Sequence, residues 1–299
     1  MPGVFDLCAL GDYCWDVLIN SPDELMRGGD TLGQVELVAG GSAANTAVWA
    51  ARCGAQVAFV GMVGDDALGT MAADDLRAEG IVAHLPRSPE RATGAVASFV
   101  DHTGERSMVT GVGADHLLTP DDVPAELVRA ARHFHLTAWS LFGDPPRAAA
   151  LHGIELARAA GATISLDPSA HHMIAAMGVD GFLAMTVPFA PSVLFPNRDE
   201  GRVLTGTDDP AAIAERLGEM YPGALVVLKL DVDGVLVDGE LVPSERVTAI
   251  DTTGAGDSFA GAFLASWLAG ASPAEAARAA VAVSSWVVQH VGSRPVGWR

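Results

Sequence analysis

The feature that most constrains this chain is the regular alternation of short apolar runs with alanine-rich helical stretches. Phe5 to Gly11, Gln56 to Val60, His133 to Thr137, Thr163 to Asp167, Val193 to Phe195 and Leu225 to Lys229 read as buried strands. Between them, Ser42 to Cys53, Asp66 to Glu79, Pro146 to Ala160 and Pro210 to Tyr221 read as helices, the first two stopped by Gly54 and Gly80. Strands separated by helices cannot pair through tight hairpins. The pattern therefore predicts an α/β fold with a parallel sheet covered on both faces. Two stretches break the rhythm, about 13–38 with its Gly-Gly-Asp turn and about 93–110 around His102-Thr103-Gly104. They read as antiparallel hairpins at the ends of core strands, a small lid. No repeat, low-complexity tract or linker divides the 299 residues, so one domain is expected over 1–299.

Charge narrows the ligands. With 18 basic and 37 acidic residues, the formal net charge of -19 disfavours nucleic acid and anionic membrane surfaces as partners. Any polyphosphate bound here needs a cation to offset the local field. Cys8, Cys14 and Cys53 form no Cys-x-x-Cys pair and no ligand cluster with histidine, which points to a reducing interior. Without a basic leader or a long uncharged apolar run, a cytoplasmic location is expected.

The chemistry concentrates in Asp251-Thr252-Thr253-Gly254-Ala255-Gly256-Asp257-Ser258-Phe259. Glu245 to Ile250 before it alternates like a strand, and Phe259, Phe263 and Trp267 after it recur at helical spacing. The glycines would then open a helix. Unpaired N–H groups and the helix dipole attract phosphate there, and residues without a Cβ let it come close. Asp257, in the same first turn, can take a proton from an attacking hydroxyl. Taken alone, Gly-x-Gly-Asp at a helix start is more often an ordinary cap. A dinucleotide loop does not fit, because Gly261 falls too late for G-x-G-x-x-G; a Walker A loop does not fit, because the single lysine, Lys229, lies elsewhere. A second small-residue helix start, Gly40-Gly41-Ser42-Ala43-Ala44-Asn45, suits a polyhydroxylated ligand as well as it suits a tight turn. Asp16, beyond the first strand, lies where open α/β sheets gather ligands.

Together these residues resemble the ribokinase-like (PfkB) carbohydrate kinase family over nearly the whole chain, from Gly11 to about Gly292. One motif runs from Gly40-Gly41-Ser42-Ala43-Ala44-Asn45-Thr46-Ala47 through Val60-Gly61-Met62-Val63-Gly64-Asp65-Asp66 to Gly69; the more specific one is the Asp251 to Phe259 run. Asn197-Arg198-Asp199-Glu200 matches an Asn-x-x-Glu element, followed by Leu204-Thr205-Gly206. The resemblance implies a ribokinase-like three-layer α/β/α fold with a mostly parallel central sheet and a small β-sheet lid. It implies transfer of the γ-phosphoryl group of ATP to a sugar hydroxyl, with Mg2+. By the same resemblance, Asp257 is the base and Gly254, Ala255 and Gly256 form the anion hole. Asp16, Gly40, Gly41 and Asn45 hold the sugar, and Asn197 and Glu200 organise metal and phosphate. Lys229, Thr253 and Gly234 border the nucleotide.

Three departures qualify the match. Lys229-Leu230-Asp231-Val232-Asp233-Gly234 has Asp231 where many members have glycine. Asp167-Pro168-Ser169-Ala170-His171 lacks the arginine that keto-sugar acid kinases carry, which argues for a neutral sugar, with Arg106 on the lid as a partial substitute. His171 and His172 read as a solvated loop pair. Gly292-Ser293-Arg294-Pro295 is short for a potassium loop, so K+ activation stays open. The expected activity is ATP-dependent phosphorylation of a primary hydroxyl of a neutral sugar. A nucleoside kinase is the alternative, with Tyr13 and Trp15 available to stack on a base. A catalytically silent sugar-binding module is a more distant third reading. Unpaired lid edges invite a homodimer.

Overall fold

The computed structural model describes residues 4–21, 23–100 and 106–298. Among them, nine strands form one sheet, in spatial order Glu240–Val242, Val235–Val237, Leu225–Lys229, Val193–Leu194, Thr163–Asp167, Ala131–Thr137, Phe5–Leu10, Val57–Val60 and Val82–His84. The seven from Leu225–Lys229 onward are mutually parallel, and the first two join antiparallel. The sheet is mostly parallel because each connection after Phe5–Leu10 carries a helix back over one face.

Strand alternation feeds two cores. Leu7 and Ala9 pack with Trp49, Phe259, Phe263 and Val281 on one face, and Cys8 and Leu10 pack with Phe134, Ile154, Phe182 and Ile213 on the other. Successive side chains of one strand point to opposite faces, so a single apolar run supplies both layers. The helices Ser42–Arg52, Ala255–Leu268 and Pro273–Val287 cover the first face; Pro146–Ala159, Arg198–Thr205 and Pro210–Met220 cover the second. The helix bounds agree with the sequence periodicity to within a residue or two.

A separate sheet of four strands is ordered Gln34–Gly40, Cys14–Asn20, Gly94–Val100 and Arg106–Thr110. Its outer pairs are antiparallel hairpins, and its central pair, Cys14–Asn20 with Gly94–Val100, runs parallel. The His102-Thr103-Gly104 turn and the Arg106 side chain lie outside the described residues. Val35, Leu37 and Val109 on this sheet are exposed.

One expected strand is absent. Glu245 to Ile250 forms no ladder and is mostly exposed; only at its end do Ile250 and Asp251 donate to the Val288 carbonyl. Its alternating residues meet no partner edge, because Glu240–Val242 already ends the sheet, so the glycine run is entered from a loop. No single helix among the described residues is long and apolar enough to cross a membrane.

Candidate active site

The chain leaves Phe5–Leu10 toward Val57–Val60 on one side and returns to Ala131–Thr137 on the other. Ligands collect at such a reversal because two loops diverge there and leave a crevice. A cavity of about 710 Å³ lies there, lined by Gly11, Asp12 and Ser140 from the two loops and by Asp257 and Asn45 from the first turns of two helices. Asp16, Gly41, Asn197, Glu200, Thr253 and Gly254 also border it. Gly40, Lys229, Gly234, Ala255 and Gly256 do not.

The helix Ala255–Leu268 starts at Gly254, whose φ of 74° belongs to the left-handed region. A Cβ there would fall 2.5 Å from that of Ser293, so the position requires glycine twice over. No side chain caps this helix. Its first regular bond is Ser258 N–H to the Gly254 carbonyl at 2.8 Å, which leaves the amides of Gly256 and Asp257 without an intrahelical acceptor. The preceding turn is stiffened by Asp251, whose carboxylate accepts from the Thr253 amide (2.9 Å), the Thr253 hydroxyl (2.6 Å) and the Gly292 amide (2.9 Å).

Asp257 accepts a hydrogen bond from Asn45 Nδ2 at 2.8 Å. Burial, aided by Asp167 and Asp12, pushes its pKa up to about 7, against the opposing pull of Asn45 and Lys229. Behind it, Lys229 Nζ donates to Asp167 Oδ2 at 2.7 Å and sits 3.4 Å from where a Gly256 Cβ would lie. Burial alone would lower the Lys229 pKa, but Asp167 and Glu200 outweigh it and hold it above the usual lysine value. The turn from Gly254 to Asp257 thus has a fixed positive charge at its back.

Asn197 and Glu200 form a reciprocal capping box: Glu200 N–H donates to Asn197 Oδ1 (2.8 Å), and Asn197 N and Nδ2 donate to the Glu200 carboxylate (2.8 and 2.9 Å). Glu200 is buried, and desolvation with the nearby Asp167 charge lifts its pKa to about 8. Among the described residues no cluster of three histidine, cysteine or acidic side chains is set to hold a metal. The oxygen donors Asn197 and Glu200 on the cavity wall fit a magnesium ion that keeps waters and arrives on phosphates.

Also on the cavity wall, Asp16 is buried, and its pKa rises to about 6 through desolvation. Gly40 must be glycine, since a Cβ would lie 2.5 Å from the Asp16 carboxylate. At Gly41, with φ 93°, a Cβ would fall 2.6 Å from the Asp12 carbonyl oxygen. Asp12 was not singled out by sequence; its carboxylate accepts from the Ser42 and Ala43 amides (2.8 and 3.1 Å), capping a helix thirty residues away. Asp115 was also missed; burial first, then Asp12, raises it to about 7.

Two expectations change. Tyr13 and Trp15 do not reach the cavity: both are buried, Tyr13 Oη donating to Asp75 (2.9 Å) and Trp15 Nε1 to the Leu68 carbonyl (3.1 Å). The aromatic wall is instead Trp139, 36% exposed, with an edge contact to His172 at 6.4 Å between centroids. His171 and His172 open a short helix, His171–Met177, instead of lying in a loop; both are exposed, as expected, and border the cavity. Gly234, with φ 107°, packs against Ser244 N at 2.7 Å from a built Cβ, so its requirement is steric. Asp231 holds φ 53°, the backbone geometry that a glycine in its place adopts freely.

Comparisons with known proteins agree with this geometry. Residues 5–298 match the model of the pfkB family carbohydrate kinases. A fructokinase of Solanum tuberosum is 33% identical over 236 residues, covering 75% of this chain and 70% of the potato protein. The crystal structure of adenosine kinase from Sinorhizobium meliloti superposes with a TM-score of 0.87 at 27% identity, covering 98% of this chain and 96% of that one. A probable sugar kinase protein from Rhizobium etli CFN 42 does so with a TM-score of 0.89 at 25% identity, over 99% and 96%. With residues 5–298 matching the family model and 75% of its length matching a fructokinase at 33% identity, the chain belongs to the pfkB family of carbohydrate kinases.

Proposed function

We propose that the protein transfers the γ-phosphoryl group of ATP to a primary hydroxyl of a neutral, ribose-like or ketohexose-like sugar, with Asp257 as general base. The observation that carries this reading is the meeting, at one cavity, of Asp257 with the uncapped helix start behind Gly254. The acceptor hydroxyl gives its proton to the Asp257 carboxylate while its oxygen bonds to phosphorus and the bond to ADP breaks. The Gly256 and Asp257 amides face the charge spread over the transferring oxygens. Asp16 and Asn45 supply the acceptor and donor atoms that align a polyol, and positioning does most of the catalytic work. Magnesium at Asn197 and Glu200 would neutralise phosphate charge. Potassium enters only as an activator to be tested at the junction where Asp251 meets Gly292.

A neutral acceptor is supported by the wall itself. Among the described residues its charged side chains are Asp12, Asp16, Asp115, Glu200 and Asp257, with no arginine or lysine. A carboxylate-bearing sugar finds repulsion there and no guanidinium. A nucleoside is the second reading, favoured by Trp139, Met108, Val112 and Leu118, which give the cavity an apolar end fit for a planar base. The four-stranded sheet would act as a lid that excludes water, and its exposed Val35, Leu37 and Val109 would seat a second copy in a homodimer.

The test is ADP release with Mg-ATP against neutral sugars, keto-sugar acids and nucleosides, beside Asp257→Asn. Turnover with one neutral sugar and a loss of at least about a hundredfold in the variant is expected. Preference for a nucleoside keeps the mechanism and changes the acceptor. A fully active variant overturns the assignment of the base.

A further inference from the structure

The C-terminal loop carries an arginine that the reaction chemistry above does not use. Arg294 is almost entirely buried, its side chain 4% exposed, although the loop around it lies at the protein surface. Every arm of its guanidinium is occupied. Nε donates to Asn45 Oδ1 at 2.7 Å, Nη1 to Asp75 Oδ2 at 2.8 Å, and Nη2 to the Gly40 carbonyl at 2.7 Å. Its carbon lies 5.1 Å from the centre of the Tyr13 ring. A flat fork with donors in three directions can meet all of these at once; an ammonium cannot.

The loop that delivers Arg294 is itself pinned. Trp49 Nε1 donates to the Ser293 carbonyl at 2.9 Å, Arg52 to the Pro295 carbonyl at 2.8 Å, and the Gly292 amide to Asp251 at 2.9 Å. Arg294 therefore meets Asn45 from a rigid support, and three segments distant in sequence converge on one amide.

Asparagine can present either its oxygen or its NH2 group to a neighbour. Arginine has donors only, so the oxygen of Asn45 must face Arg294, and Ser293 Oγ adds a second donor to the same oxygen at 3.1 Å. The NH2 group is thereby turned to Asp257 Oδ2, at 2.8 Å. With the amide reversed, its oxygen would face a carboxylate and its NH2 a guanidinium, two repulsive contacts around a buried amide. We propose that Arg294 is a positioning residue for phosphoryl transfer, locking the Asn45 amide so that its N–H groups serve Asp257 and the acceptor hydroxyl. The proposal rests on the reading of Asp257 as base and of Asn45 as an acceptor-site residue.

The test is a double-mutant cycle in the full chain, with kcat and both KM values measured for wild type, Arg294→Met, Asn45→Ala and the double variant, and with Asp257→Asn alongside. Arg294→Met is expected to lower kcat/KM for the acceptor about tenfold, with KM for Mg-ATP within about twofold of wild type. In the Asn45→Ala background the same change should cost less than about twofold, because the group it orients is gone. A purely structural role would move both KM values and persist in that background. Should Arg294→Met not fold, Arg294→Lys carries the same cycle, since one ammonium cannot replace three directed donors. Additive losses, or wild-type kcat/KM in Arg294→Met, overturn the proposal. Activity surviving in Asp257→Asn fells the underlying reading, and the proposal with it; an inactive Asp257→Asn with an additive cycle removes Arg294 alone.

Discussion

The environment of Asp257 suits a carboxylate to the general-base role proposed for it. In water its pKa would be near 4, too weak a base to help an alcohol; desolvation raises it to about 7, while Asn45 keeps the ionised form accessible. In the proposed reaction the ionised form is the active one, so kcat/KM should fall about tenfold per pH unit below about 7 and level off above it. Removing the Asn45 donor takes away an interaction that favours the ionised form. The acid limb should therefore move to higher pH in Asn45→Ala. Steady-state rates from pH 5 to 9 check both, and a limb that does not move would separate Asn45 from the base. Asp257 and Asn45 were visible as motif residues in the sequence. Their mutual contact was not, because 212 positions separate them.

Among the elements, the connection after Leu225–Lys229 departs from the pattern of the resemblance at Asp231. Asp231 occupies a left-handed conformation, φ 53°, which strains a residue with a Cβ by about 1 kcal/mol or more. Glycine relieves that strain and costs about 0.5–1 kcal/mol of chain entropy, so the two nearly offset. Asp231→Gly should thus raise unfolding free energy by no more than about 0.5–1 kcal/mol in urea titrations. Its larger effect is expected on the nucleotide, since it removes a negative charge from a loop the resemblance places near phosphates. KM for Mg-ATP should fall about threefold at low ionic strength, with kcat unchanged and the gain lost in high salt. The helix Ala255–Leu268 carries the opposite lesson. Its start and apolar spacing were readable from the chain, whereas the strand expected before it was not formed, because alternation can set a strand's pattern but cannot supply the edge it must pair with.

For the whole molecule, the cavity is open between the two sheets, and phosphoryl transfer requires water to be kept out. Closure of the smaller sheet on a bound acceptor and a non-hydrolysable ATP analogue should slow amide exchange in Cys14–Asn20, Gln34–Gly40 and Gly94–Val100. Little change is expected in the already buried strand Thr163–Asp167. Equal protection across both sheets, measured by exchange mass spectrometry, would argue for general stiffening and against a lid. The sequence by itself determined the layered architecture, six strands of the larger sheet, the helices beginning near Ser42, Asp66, Pro146, Pro210 and Gly254, and the two glycine turns, because these rest on short-range periodicity and on residues without a Cβ; it did not reveal Pro273–Val287 or the edge strands Val82–His84, Val235–Val237 and Glu240–Val242. Only the tertiary structure decided which aromatic side chains face the cavity, which turned out to be Trp139 and not Tyr13 or Trp15. It alone joined Lys229 to Asp167, Asp12 to the helix at Ser42, and Arg294 through Asn45 to Asp257. Those links depend on direction and on distances of a few ångströms between segments far apart in the chain, and no local pattern of residues carries that information.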